Sequence, residues 1–164
     1  MNKSNTFARH TAVYILLFAV FYLLTYTELF PLTIGNATPQ LLISATVAVG
    51  FFYGEWAGFT AGMIAGIFAD AVAADTVCFN MIVLMLIGLS VGIAVNHYVN
   101  KNIFSALMLS FAASTVYFVL HWLVFFVATG FTGKLQFFLY HSLPSLVYSS
   151  LFILIAYLPG RYLK

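Results

Sequence analysis

Gly58-Phe59-Thr60-Ala61-Gly62-Met63-Ile64-Ala65-Gly66-Ile67-Phe68-Ala69-Asp70 sets three glycines and then an aspartate at four-residue intervals inside a nearly apolar run. On an α-helix, residues four apart stand one turn above each other on nearly the same face. Ala57, Ala61, Ala65 and Ala69 lie beside that row, so one side of the helix is almost bare backbone. In water such a helix is weak, because each glycine costs about 1 kcal/mol relative to alanine. In lipid the same row lets a second helix approach closely, as an extended GxxxG face. The row drifts by roughly 40° per step on a helix of 3.6 residues per turn. A partner is therefore expected to cross it at an angle, and the chain reads as a bundle built around this helix.

Composition gives the setting. Of 164 residues, 63% are hydrophobic and 6% charged, against about 25% charged in an ordinary soluble domain. So few charges cannot solvate a surface, and the sequence predicts an all-α integral membrane protein forming one polytopic domain over residues 1–164. The net charge of +2 is small and dispersed, which does not suggest nucleic acid. Cys78 is the single cysteine, so an internal disulfide is excluded and the redox compartment is not indicated.

Working outward, the predicted spans are residues 12–30, 38–53, 57–74, 78–95, 103–128 and 137–158. Pro31 stops the first. Gly35 and Ala37 offer small residues for signal-peptide cleavage, but the apolar run exceeds the usual core of about 7–15 residues, so an uncleaved helix is expected. The second span is short enough to need its neighbours. Gly54-Glu55-Trp56 forms a tight polar break, and Asp75-Thr76 a tight turn. The sixth span is expected to be interrupted at Pro144 and to end before Pro159. Segments of about 16–26 residues suit a hydrocarbon core of about 30 Å. The absence of period-two alternation argues against a membrane β-barrel.

Orientation follows from the basic residues. With both termini cytoplasmic, Lys3, Arg9, Lys101, Arg161 and Lys164 lie inside and Lys134 alone lies outside. Tyr53, Trp56, Tyr98, Tyr157 and Tyr162 would then mark inner helix ends, and Tyr26 and Tyr140 outer ones.

Asp70 is the leading candidate for chemistry. It stands about 18 Å along the helix from Gly58 at 1.5 Å per residue. A carboxylate there needs a partner, since insertion of an acid at a helix centre costs roughly 2.5–3.5 kcal/mol. The turn at Asp75 brings Asn80 to within about a helical turn of Asp70 in depth, and Gly88 and Gly92 form a second GxxxG on the following helix. Asp70 either accepts hydrogen bonds that lock the bundle or binds a proton, ion or solute. The fifth span carries Ser110, Ser114, Tyr117 and His121 at three- and four-residue spacing. These form either an interhelical seam of hydroxyls with a neutral histidine, or a solute cavity or docking face. Spacing alone does not join them to Asp70.

The remaining signals are weaker. His10, His97, His121 and His141 have no zinc-site spacing, so no metal or cofactor is expected. Glu28 and Glu55 read as solvated charges near interfaces. Phosphate-loop, nucleophile-elbow and kinase signatures are missing, and the inventory does not assemble a nucleophile with a base. The sequence therefore predicts no enzyme. An ion channel or exchanger would want paired intramembrane charges, which the spans lack.

The order Gly58, Gly62, Gly66, Asp70, a short turn, Asn80 and the Gly88/Gly92 helix resembles the rod-shape-determining MreD family of the bacterial inner membrane. Thr38-Pro39-Gln40-Leu41-Leu42 looks like that family's proline-led start of its second helix. Leu143-Pro144-Ser145-Leu146-Val147-Tyr148, with the apolar helix and basic tail behind it, looks like its last segment. The resemblance covers roughly residues 38–164. Two positions depart from the usual pattern: Cys78 stands about where members often place a glycine, and Ser149 about where many have asparagine or threonine.

The resemblance implies a non-enzymatic scaffold of the cell-wall elongation machinery. It implies association with the single-span protein MreC and, through it, with the filament protein MreB and a peptidoglycan polymerase and transpeptidase pair. Copies of the chain itself are a further class of partner, and the bilayer is its solvent. Gly58, Gly62, Gly66, Asp70, Asn80, Gly88, Gly92, Tyr117, His121, Pro144 and Tyr148 are the residues expected to serve helix packing and interaction. The family's six-helix fold is similar to the substrate-binding components of energy-coupling-factor vitamin transporters, so a solute-binding subunit is the alternative function.

Overall fold

The structure, a computed structural model, describes residues 18–20, 22–23, 25, 40–72, 78–124 and 143–162. Among these residues regular structure is helical throughout. The helices are α1 (Leu41–Tyr53), α2 (Glu55–Val72), α3 (Phe79–His97), α4 (Ile103–Trp122), α5 (Leu143–Leu151) and α6 (Ile153–Tyr162). Two of them, α3 and α4, are long and apolar enough to cross a membrane. The expected first span is described only at residues 18–20, 22–23 and 25, all helical, with the Tyr22 ring 5.3 Å from that of Phe68.

The bundle is organised around α1, which corrects the expectation that the glycine helix is its centre. Every residue from Leu41 to Phe51 is buried, and α1 touches each of the other five helices. A helix apolar on all sides has no face to give to water and belongs inside. At 13 residues it is about 20 Å long at 1.5 Å per residue. The chain leaves it through Gly54 alone, whose φ of 88° and ψ of −168° only glycine adopts without strain. The Gly54 N–H donates to Gly50 O at 3.0 Å and the Gly58 N–H to Gly54 O at 2.9 Å, so the reversal loses little hydrogen bonding.

α2 and α3 pack along their length as an antiparallel pair. α4 lies against α1, α5 and α6, and meets α3 more sparingly. The predicted interruption at Pro144 is not where the last segment breaks. Pro144 occupies the first turn of α5, where a missing N–H has no helical partner to lose. The break falls at Phe152, whose N–H donates to Ser149 O at 3.2 Å. α6 then runs through Pro159 to Tyr162, beyond the expected end.

Candidate functional site: an acid clasp on a glycine seam

The small residues of α2 and α3 face each other in register. A Cβ built on Gly58 would lie 2.9 Å from the Gly88 carbonyl carbon, and one on Gly88 2.6 Å from that of Gly58. One on Gly62 would lie 2.6 Å from the Leu84 carbonyl carbon, and one on Gly66 2.7 Å from Asn80 O. Gly92 closes the far end, where a Cβ would lie 2.6 Å from the Gly54 carbonyl carbon. Ordinary carbon contacts begin near 3.5 Å, so backbone meets backbone at every step. α3 follows the row past all three glycines. The row also extends one helix back: Gly50 of α1 faces Gly88 O, where a Cβ would stand 3.0 Å away. Gly50 and Gly54 continue the four-residue spacing in sequence, which is the signal that would have found them.

Asp70 ends the seam by finishing the first turn of α3. Its Oδ1 accepts from the Asn80 N–H at 3.1 Å and its Oδ2 from the Met81 N–H at 2.9 Å. These are the second and third amides after Cys78, the residue at the N-cap position, and they are the donors that an N-cap side chain ordinarily satisfies. Cys78 supplies no such bond. Asp70 therefore caps α3 from α2, and its charge faces the positive end of the helix dipole. Cys78 itself sits at φ 60°, ψ 6°, the left-handed region where side chains are strained.

Asn80 carries the cluster to α4. It is buried, and its Oδ1 accepts from the Tyr117 hydroxyl at 2.6 Å. The His121 ring stacks on Tyr117 with centroids 6.1 Å apart, and meets the Phe79 ring edge-on at 5.8 Å. Asp70, Asn80, Tyr117 and His121 are thus neighbours across three helices. Ser110 and Ser114, lower on the same stripe of α4, are fully buried, and among the described residues their hydroxyls have no hydrogen-bond partner.

A second clasp went unread in the sequence. Ser149 of α5 accepts from the Gln40 N–H through Oγ at 2.8 Å, and its carbonyl accepts from the Ser44 hydroxyl at 2.6 Å. At the opposite end of α1, Lys101 Nζ donates to Phe52 O at 3.3 Å. Pro144 and Tyr148 lie on α5 by their backbone, and their side chains fall outside what the structure describes. Tyr157, expected at an interface, is buried against Phe51 and Phe52 with centroids 6.0 and 5.1 Å away. Among the described residues no group of three or more histidine, cysteine, aspartate or glutamate side chains could hold a metal ion.

This geometry can hold helices at backbone distance and fix their rotation; its acid, amide and phenol are engaged with one another and with a helix terminus. Comparison with protein-family models, with curated proteins and with solved structures returns no match for the chain.

Proposed function

We propose that the chain is a non-catalytic scaffold of the bacterial inner membrane, a six-span bundle with both termini cytoplasmic that serves the rod-shape elongation machinery as an MreD-like subunit. The observation that carries this reading is the engagement of the polar residues. Asp70 caps α3, Asn80 takes the Tyr117 hydroxyl, and the glycines are covered by a neighbouring helix. The conspicuous sequence features thus build one rigid body. The glycine strip is spent internally on α3, so a partner such as the single span of an MreC-like protein must use the outward faces. Those carry Ile64, Ile67 and Phe68 on α2 and Ile82, Leu86 and Ile93 on α3. Through that partner the subunit would reach an MreB-like filament and the polymerase and transpeptidase pair.

One observation favours the alternative, a solute-binding component of an energy-coupling-factor transporter. The buried hydroxyls of Ser110 and Ser114, without a partner among the described residues, are of the kind that a polar ligand satisfies. Depletion in the native cell separates the two. Rounding and lysis, with recovery of an MreC-like protein on the tagged chain, are expected for the scaffold. A growth requirement cured by a supplied vitamin, with normal shape, would overturn it.

A further inference from the structure

We infer that the exposed rings at the Gly54 end of the bundle, Tyr53, Trp56, Tyr98 and Phe104, seat at the headgroup–acyl boundary of a phospholipid bilayer, and that the Asp70 clasp consequently lies beneath the opposite boundary. Trp56 is 75%, Tyr98 86% and Phe104 68% exposed, on the first turn of α2, just past the end of α3 and on the first turn of α4. They come from three helices yet share one end of the molecule.

The side chains around them are layered. Past Tyr98 the link to α4 is polar, with Asn100, Lys101 and Asn102 exposed, while Asn96 and His97 are exposed in the last turn of α3, level with the rings. On the other side the outward residues include Ile93 on α3, Ile64 on α2 and Met108 on α4; the exposed hydroxyls there, Thr60 and Ser90, donate to carbonyls of their own helices, Trp56 O and Leu86 O. A sequence of polar, amphipathic aromatic and aliphatic layers matches the water, interface and hydrocarbon of a bilayer. Neither water nor a single docked helix accounts for the same layering on three helices. Trp56 also lies 6.4 Å edge-on to Phe59, one turn further in, which holds the indole near the boundary.

The depth of the clasp follows by counting. Asp70 is fourteen residues beyond Trp56 on the same helix, about 21 Å at 1.5 Å per residue. A hydrocarbon core is about 30 Å thick, which leaves the carboxylate about 9 Å short of the far boundary. There an acid without partners costs several kcal/mol, and the two α3 amides stand in for the water it lacks.

The inference rests on the membrane part of the proposed function and is independent of the rod-shape role, which a failed lipid test would leave to the cell-depletion experiment. The test uses the full chain reconstituted in phosphatidylcholine and phosphatidylglycerol vesicles. Trp122→Phe leaves Trp56 as the single tryptophan, since the chain has two. Lipids brominated near the headgroup should quench Trp56 at least about twofold more than lipids brominated deep in the chains. A companion, Ile64→Trp in a Trp56→Phe, Trp122→Phe background, stands about 12 Å further in and should show the reverse order. Equal depth for the two probes, or quenching of Trp56 by aqueous iodide alone, would overturn the inference.

Discussion

Gly62→Ala sets two effects of opposite sign against each other. Helix propensity favours alanine over glycine by about 1 kcal/mol, so a helix judged alone should gain stability. The structure puts the new methyl 2.6 Å from the Leu84 carbonyl carbon and 2.9 Å from Met85 Cα. Both are backbone atoms, which cannot swing aside. Restoring ordinary contact near 3.5 Å requires α2 and α3 to part by about 1 Å. Overpacking of this kind costs about 1–3 kcal/mol, and parting the seam also stretches the Asp70 bonds at its end. Against the propensity gain of about 1 kcal/mol, the expected net loss is about 1 kcal/mol. The assay is SDS titration of the protein in mild-detergent micelles, followed by circular dichroism. Gly50→Ala is the graded comparison, because its methyl would meet Gly88 O at 3.0 Å and Val91 at 3.4 Å, and it should lose less. A Gly62→Ala protein as stable as the parent would show that the seam is not close-packed, and the account of α2 and α3 would fail with it.

The same titration tests three further expectations. Asp70→Leu removes both acceptors from the Asn80 and Met81 amides and should cost about 2–3 kcal/mol, whereas Asp70→Asn keeps one acceptor and should cost about half as much; equal tolerance of both would mean that the amides need no cap. Tyr117→Phe removes the hydroxyl that donates to the buried Asn80 Oδ1 and should cost about 1 kcal/mol, and an unchanged midpoint would count against the α3–α4 link. Cys78→Gly relieves a left-handed backbone strain and should stabilise by about 1 kcal/mol; a loss of stability would show that the conformation at residue 78 is not strained.

What could be read in advance depended on the length scale of each signal. The seam was legible because four-residue spacing is a local property of one helix. Asn80 could be placed near Asp70 because few residues separate them in sequence. The Tyr117–Asn80 bond depends on how α4 is rotated about its axis, which its packing on α1 and α5 sets. The Ser149 clasp joins residues 109 apart in sequence, and nothing local to either announces the other. α1 hid for a different reason. Lipid-facing and core-facing helices are both apolar, so hydropathy does not separate the enclosed Leu41–Tyr53 from a helix bathed in hydrocarbon. The break at Phe152 was masked by Pro144, a residue that costs nothing in a first turn.

The enclosed short helix bears on how the chain must be made. α1 emerges early in synthesis, yet the hydroxyl that takes the Gln40 amide belongs to Ser149, which leaves the ribosome more than a hundred residues later. Until then the N-terminal end of α1 and its Ser44 hydroxyl lack their native partners, and a backbone amide left open in lipid is costly. A product cut short before residue 149 should therefore be cleaved by membrane proteases much faster than the full chain. Equal half-lives in a pulse-chase would show that the helix is secured before the last segment arrives.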